Sequence, residues 1–148
     1  MTPIDITKIP LNRDLGMVPS DRPDAIFMFP AHDRYHNHVG TVHAAVLFTL
    51  AEATSGEFLQ RHFKSTTHNV AAVVRRSDIK FRRPARTAIY SRAEANPADL
   101  DLVLDQLTRR GRAGIVVSVS IIDEQDTTVM TSTFEWFITT GTANQTPA

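Results

Sequence analysis

The stretch that decides the fold reads HAAVLFTLAEATSGEFLQRHF and runs from His43 to Phe63. It contains no proline, and its large apolar side chains, Val46, Leu47 and Phe48 among them, surround the helix axis instead of forming one stripe. A helix that is apolar on most sides is buried inside a domain. We therefore predict one long buried helix here, and about 20 residues of it would span roughly 30 Å.

The residues after this helix change to a period of two, which is typical of β-strands. In residues 70–81, Val73, Ile79 and Phe81 are expected to share one face of a strand, and the charged residues are expected on the other face. This segment is therefore predicted to be the first strand after the long helix.

A second alternating segment, residues 85–95, predicts another strand, and Tyr90 falls on the face expected to contact water. The order of elements favours an antiparallel sheet with a helix covering it, although the order alone also permits other α+β folds. The other elements are a strand at 25–29, a helix at 97–110 capped by Asn96, and strands at 113–122 and 127–138.

The chain has 148 residues, which is the size of one domain, and no repeat or interior linker divides it. We expect the folded domain over residues 21–140. A loosely ordered segment, residues 1–20 with three prolines, is expected before it. A flexible tail, residues 141–148, is expected after it.

Composition excludes several classes of function. The formal net charge is zero, so no bulk field attracts nucleic acid or an anionic membrane. The absence of cysteine excludes disulfide bonds, zinc–thiolate sites and a thiol nucleophile. Residues 1–14 lack the apolar core of a secretory signal, and no uncharged apolar run is long enough to span a membrane. We therefore expect a cytoplasmic protein.

Glu52 is the only formally charged residue between Val39 and Gly56. None of the residues one helical turn away from it is a base, so the helix itself offers no ion pair. A carboxylate that is desolvated without a partner has a raised pKa and is a candidate general base or nucleophile. The alternatives are that Glu52 reaches a backbone amide, an arginine from elsewhere, or the solvent.

The loop before the helix adds polar groups that can converge on one spot, namely Asn37, His38 and His43. The first amides of a helix lack intrahelical partners, and together with the helix dipole they suit a developing oxyanion. Ala44 and Ala45 are small enough to let a ligand approach these amides. The alternative is that His43 only caps the helix and the alanines pack tightly.

Four histidines, His32, His36, His38 and His43, are close together in the sequence. A metal site needs further ligands at suitable spacing, and Asp33 is the one acid nearby. We therefore predict no metal site.

The segment NHVGTVHAAVLFTLAE, residues 37–52, closely resembles the signature of hotdog-fold acyl-CoA thioesterases of the phenylacetyl-CoA and hydroxybenzoyl-CoA type. Asn37 matches the Asn/Gln position of that family, His43 its histidine, and Glu52 its acidic position on the helix. Ala44 stands where the family has the glycine whose amide polarises the thioester carbonyl. The Gly-Gly pair of the family is therefore Ala-Ala in this chain.

A second segment, IKFRRPA at residues 79–85, resembles the Phe-x-Arg-Pro-Ala strand end of the family, and the likeness covers about residues 25–140. The resemblance implies an α+β hotdog fold, in which a curled antiparallel sheet wraps a long central helix, here with an extra short helix. It also implies a homodimer with the site at the subunit interface, or a homotetramer of two such dimers. The extra helix and the Ala-Ala pair are similar to a less characterised thioesterase-like branch.

The activity implied by the resemblance is hydrolysis of an acyl-CoA thioester, with no cofactor beyond the coenzyme A of the substrate. Glu52 would act as general base or nucleophile, and Asn37 would orient the water or the carboxylate. The Ala44 amide would hold the carbonyl oxygen as it becomes negative. His38 and His43 are expected to contact the substrate.

A basic cluster fits this substrate, since residues 75–92 hold seven of the sixteen basic residues against one acid. Arginine matches phosphate oxygens in fork geometry, so Arg82 and Arg83 are predicted to contact the phosphates of coenzyme A. The alternative is an ordinary solvated strand face. A nucleic-acid partner is not expected, because few aromatic residues interleave these bases.

Two other functions remain open at this point. Hydratases and dehydratases of the same fold pair a loop histidine with a helix acid fourteen positions later, and His38 and Glu52 have this spacing. The loop here has one glycine and no proline, unlike the usual dehydratase loop. The other alternative is a non-catalytic hotdog protein that binds an acyl thioester, which the Ala-Ala pair favours.

Overall fold

The structure, a computed structural model, describes residues 3–64 and 69–141. Within these residues the chain forms three α-helices and one six-stranded sheet. The helices are α1 (Pro10–Leu15), α2 (Ala44–His62) and α3 (Pro97–Arg110). The strands are β1 (Val18–Pro19), β2 (Phe27–Phe29), β3 (Val70–Phe81), β4 (Ile89–Glu94), β5 (Arg112–Asp123) and β6 (Thr128–Thr140).

The sheet has the order β1-β2-β4-β5-β6-β3, and all neighbouring strands are antiparallel. α2 lies across its inner face and contacts β2, β4, β5 and β6. Leu50 of α2 and Val117 and Phe134 of the sheet belong to the same buried core. The predicted hotdog fold, a curled antiparallel sheet around a long central helix with an extra short helix, is confirmed.

Two hydrogen bonds between side chains tie α2 to the sheet inside the core. The hydroxyl oxygens of Thr54 and Ser91 lie 2.6 Å apart, between α2 and β4. The indole Nε1 of Trp136 on β6 donates to the Ser55 hydroxyl at 3.0 Å. Because a buried polar group without a partner is costly, these pairs favour one rotation of the helix over the sheet.

A β-bulge in β3 changes which residues share a face. The pairing with β6 skips one residue between Val74 and Arg76, so the alternation shifts by one at this point. Val73 therefore lies on the outer face and is 56% exposed, whereas Ile79 packs against the core. The prediction that Val73 shares a face with Ile79 and Phe81 is wrong for this reason.

β4 is shorter than predicted, and its outer face is partly covered. The strand begins at Ile89 instead of residue 85. Tyr90, expected to contact water, is 8% exposed because it packs with Ala88 and Ile122 in a small second cluster. The guanidinium of Arg22 lies 5.0 Å from the Tyr90 ring centre and covers it from the solvent side.

α3 covers the part of β5 that β4 leaves unpaired. β4 pairs with β5 no further than Ser118, so residues 112–117 of β5 have a strand neighbour on one side only. α3 packs along β5 and buries Val103 and Leu107. Asn96 caps this helix as predicted, since its side-chain oxygen accepts from an amide of the first turn.

The N-terminal segment is packed onto the domain, whereas we expected residues 1–20 to be loosely ordered. A single 3-10 turn leads into α1, and β1 then pairs with β2. Ile6 and Met17 are buried in the main core. The buried Asn12 side chain donates to the Ile6 carbonyl at 2.9 Å and holds the segment in shape.

Proline content alone was therefore a poor guide to order. Pro10 stands in the first turn of α1, where its missing N–H costs nothing. Pro19 stands in a two-residue edge strand, a position that proline also fits. Of the tail expected at residues 141–148, all but Gly141 lie outside the described residues. Within those residues no helix has both the length and the apolar character needed to cross a membrane.

Truncation of Leu50 is expected to destabilise the fold strongly, because this side chain is fully buried where α2 meets the sheet. Leu50→Ala should lower the free energy of unfolding by about 2–5 kcal/mol, as measured by urea denaturation. The matched control is Leu11→Ala on α1, whose side chain is 60% exposed and should cost less than about 0.5 kcal/mol. Equal effects of the two substitutions would contradict the central position of α2.

Candidate functional site

Glu52 lines a cavity of about 820 Å³ between α2 and the first half of β3. The N-terminal segment closes part of its wall. Glu52 alone carries a charge among the described residues that line it, and most of the others are apolar. The apolar lining includes Ile4, Ile6, Leu59, Val70, Val74 and Trp136. A mostly apolar cavity with one charged group is the usual form of a small-molecule site.

The Glu52 carboxylate has no hydrogen-bond or ion-pair partner in the part of the chain that the structure describes. The side chain is half-buried, and this desolvation raises the pKa of Glu52 above its ordinary value of 4.5. Neither a backbone amide nor an arginine reaches it within these residues, as two of the alternatives required. A carboxylate with a raised pKa is a stronger base and can take a proton from water.

Two side-chain contacts hold the helix in place beside Glu52. The Ser55 hydroxyl donates to the backbone carbonyl of Glu52 at 2.7 Å and accepts from the Trp136 indole. A Cβ atom added at Gly56 would lie 3.4 Å from the indole ring, so the helix approaches β6 closely here. Sequence reasoning missed both contacts, although Ser55 stands one helical turn after Glu52.

At the start of α2 the Ala44 amide differs from the three amides that follow it. The Ala45 amide donates to His43 Nδ1 at 2.9 Å, and the Val46 and Leu47 amides donate to the His43 carbonyl. Among the described residues no acceptor meets the Ala44 N–H, and both alanines are exposed. His43 therefore does cap the helix, but the alanines do not pack tightly, so a ligand can approach the Ala44 amide.

Asn37 shapes the turn before α2. Its side-chain oxygen accepts from the amides of Val39 and Thr41, at 3.0 and 3.1 Å, and its nitrogen donates to the Thr41 hydroxyl at 2.9 Å. Its role in orienting water or a carboxylate stays a prediction, and the observed bonds give it a structural role in the turn. His38 is exposed on this turn and has no hydrogen-bond partner among the described residues.

Arg82 and Arg83 lie at the end of β3, both exposed. Their amides donate to the Val129 carbonyl, which fixes the backbone of this corner. The Arg82 Nε donates to the Thr131 hydroxyl at 3.0 Å. The Arg82 guanidinium thus lies against β6, and both arginines line a shallow pocket together with Thr127, Thr128 and Thr131.

Most other members of the basic cluster are already engaged. Arg75 covers the Phe137 ring, Arg76 faces Glu135, Arg86 donates to the Gly40 carbonyl, and Arg92 pairs with Asp24. Within the described residues, Lys80 and Arg83 have no partner for their side chains. An incoming phosphate would therefore find Arg83 unengaged.

The structure does not bring all of the predicted site residues together in one subunit. Glu52 lines the cavity, whereas none of the other six (Asn37, His38, His43, Ala44, Arg82, Arg83) does. Ala44 stands eight residues before Glu52 on the same helix, which separates them by about 12 Å along its axis. Among the described residues no group of three or more His, Asp or Glu side chains is arranged to hold a metal ion.

Glu52→Gln is expected to stabilise the fold at neutral pH. Because burial raises the pKa of Glu52, folding disfavours its ionised form, and stability falls as pH rises from below 4.5 through the raised value. The midpoint of urea denaturation should be higher for Glu52→Gln than for the wild type at pH 7. Near pH 4 the two midpoints should become equal. Glu57→Gln, which loses the ion pair of Glu57 with Arg61, should give no such gain. An equal gain at both pH values would contradict the desolvation of Glu52.

The comparisons with known proteins agree with this architecture. Residues 20–138 match the family described as Domain of unknown function (DUF4442). No curated protein matches the chain. A Pseudomonas aeruginosa protein of unknown function, described as a "probable thioesterase", has 22% identity and a TM-score of 0.75, with 92% of this chain and 91% of that chain covered.

Two further solved structures are similar. A thioesterase from Haemophilus influenzae has 17% identity and a TM-score of 0.70, with 95% of this chain and 90% of that one covered. A Bacillus halodurans protein solved with CoA has 20% identity and a TM-score of 0.59, covering 76% of this chain and 65% of that one. The chain therefore belongs to the DUF4442 family, and it shares its hotdog-type fold with thioesterase-family proteins.

Proposed function

We propose that the protein is an acyl-CoA thioesterase that releases a free acid and coenzyme A, with Glu52 as its catalytic carboxylate. The observation that carries this proposal is the desolvated carboxylate of Glu52, which lies at a mostly apolar cavity and has no partner among the described residues. The apolar lining suits an acyl group, and the carboxylate suits the activation of water beside it. The fold shared with thioesterase-family proteins supports the same reading.

In this reaction Glu52 takes a proton from a water molecule while the water oxygen attacks the thioester carbonyl carbon. The carbonyl oxygen becomes negative and is held by the Ala44 amide of a second copy, an N–H group that has no acceptor among the described residues. The C–S bond then breaks, and the thiolate of coenzyme A receives the proton from Glu52. Direct attack by the carboxylate, followed by hydrolysis of the anhydride, gives the same products. No cofactor is needed beyond the coenzyme A of the substrate.

A second copy of the chain is proposed to complete the site. Ala44 and Glu52 of one helix are about 12 Å apart along its axis, which is long for direct action on one carbonyl group. β3 is a twelve-residue strand at the edge of the sheet, and it exposes Val73 and Phe81. A long edge strand is a template for pairing with another chain. A homodimer through β3, or a homotetramer of two such dimers, would bring Ala44 of the second copy to Glu52.

The acyl-CoA substrate is supported by a structural neighbour and by the charges of this chain. The Bacillus halodurans protein of the same fold was solved with CoA. Arg83 is exposed without a partner among the described residues, and Arg82 keeps part of its guanidinium free, so both can meet phosphate groups. An acyl-CoA substrate also fits the cytoplasmic location expected from the sequence.

The thioesterase is favoured over the hydratase because the solved structures that share this fold include thioesterase-family proteins. Within one subunit His38, like Ala44, lies outside the cavity of Glu52, so a hydratase would also need a second copy to bring its histidine there. A hydratase needs both groups on the same substrate, one on each side of the bond that is hydrated. The binding protein without turnover remains the other outcome of the activity test.

Thiol release from a panel of acyl-CoAs is expected with the wild type and is expected to fall about 10²- to 10⁴-fold in kcat/KM for Glu52→Gln. Glu124→Gln in the exposed turn after β5 is the control and should keep its activity. The wild-type rate should fall as pH drops through the raised pKa of Glu52, since only the ionised carboxylate accepts a proton. Hydration of a 2-enoyl-CoA without thiol release would indicate the hydratase, and tight binding with neither reaction would indicate the binding protein.

Arg83→Ala is expected to raise KM for acyl-CoA about 10- to 150-fold, because a hydrogen bond from a charged group is worth roughly 1.5–3 kcal/mol. The KM for the matching acyl-pantetheine thioester, which lacks the nucleotide phosphates, should stay unchanged. Arg110→Ala at the exposed end of α3 is the control. A rise in KM for both thioesters would show that Arg83 does not act through the nucleotide.

A further inference from the structure

Three isoleucines of the N-terminal segment line the cavity that holds Glu52. They are Ile4, Ile6 and Ile9, which stand 35 to 40 residues before the start of α2. Ile6 is buried, but Ile4 is 55% and Ile9 is 38% exposed. Large apolar side chains left exposed at the rim of a cavity are the surface that an apolar ligand would cover.

A pair of hydrogen bonds holds this segment against the C-terminal half of α2. The Ile4 amide donates to the Gln60 side-chain oxygen at 2.8 Å, and the Gln60 side-chain nitrogen donates to the Ile4 carbonyl at 2.7 Å. Glu57 accepts a further hydrogen bond from Gln60 at 3.1 Å and orients it. Gln60 therefore fixes the position of Ile4 as part of the cavity wall.

This wall stands at a defined distance from the carboxylate. Gln60 is eight residues after Glu52, which places it about 12 Å further along the helix axis. An extended alkyl chain advances roughly 1.25 Å per carbon, given C–C bonds near 1.5 Å. The distance therefore corresponds to an acyl chain of about nine or ten carbons that begins at Glu52 and ends at the isoleucines.

We propose that the segment from Ile4 to Ile9, which Gln60 holds against α2, is the end wall of the acyl pocket. This wall sets the length of the acyl chain that the enzyme accepts. The part of this proposal that concerns hydrolysis rests on the proposed thioesterase function. The part that concerns binding of the acyl chain depends on the wall alone. The substrate class is a straight, saturated acyl-CoA of medium length. The segment from the N-terminus is then a specificity element.

The test measures kcat/KM for saturated acyl-CoAs from four to sixteen carbons, and in parallel the Kd of the matching alkyl-CoA thioethers, which cannot be hydrolysed. In the wild type, each added CH₂ should raise kcat/KM and affinity about fourfold until the chain meets the wall, and longer chains should gain nothing further. The chain length at which the gain stops is the break. Ile4→Trp should move this break to chains shorter by about two carbons. Gln60→Ala, which releases the segment, should move it to longer chains. Leu11→Trp, on α1 just after this segment and outside the cavity, should leave it unchanged.

The two readouts separate this proposal from the proposed function. A shifted break in thioether binding without any thiol release would support the wall and contradict the thioesterase. Thiol release with the same break in Ile4→Trp, Gln60→Ala and wild type would overturn the wall alone. If Ile4→Trp instead changes the oligomeric state in sedimentation and leaves the break in place, a second copy of the chain covers the isoleucines and the proposal is wrong. Failure of every chain length both to bind and to react would overturn both proposals.

Discussion

The burial of α2 is the constraint on which the rest of the structure depends. This helix has apolar side chains on most of its surface, so it is stable only where other parts of the chain cover it. One curled sheet provides most of that cover, and the Thr54–Ser91 and Trp136–Ser55 hydrogen bonds orient the helix against it. The positions of β4 and β6 relative to the helix follow from these contacts.

The sheet does not enclose the helix completely, and the cavity lies on the remaining side. There the first half of β3 and the N-terminal segment stand opposite Glu52 without filling the space. A carboxylate in this place costs stability, because it is desolvated and no partner among the described residues compensates it. Catalytic groups commonly carry such a cost, because the desolvation that destabilises them also shifts their pKa. Of the predicted site residues, Glu52 is therefore the one with a desolvated charge beside the cavity, and its catalytic role stays a prediction.

The long helix, the strand order along the chain and α3 could be predicted because their periods and caps are local properties of the sequence. The bulge at Arg75 could not, since an extra residue in β3 is recognised only against its partner β6. The burial of Tyr90 depends on Arg22, and the order of the N-terminal segment depends on contacts of Ile6 with a distant core. For the candidate site, an isolated charge in the sequence was enough to single out Glu52, which lines the cavity. The isoleucines of the cavity wall carry no such local signal, because their role arises from tertiary packing.

The edges of the sheet differ in what they permit. β1 is two residues long and ends in a proline, and α3 occupies the flank of β5 that β4 leaves free, so neither offers a row of open backbone groups. In the described residues β3 is the one long open edge. Among the described strands, only β3 can therefore pair with a further strand along its length. When two copies pair through β3, the open edge of each copy is covered by the other. Pairing of this kind therefore stops at a dimer and cannot continue into a fibre.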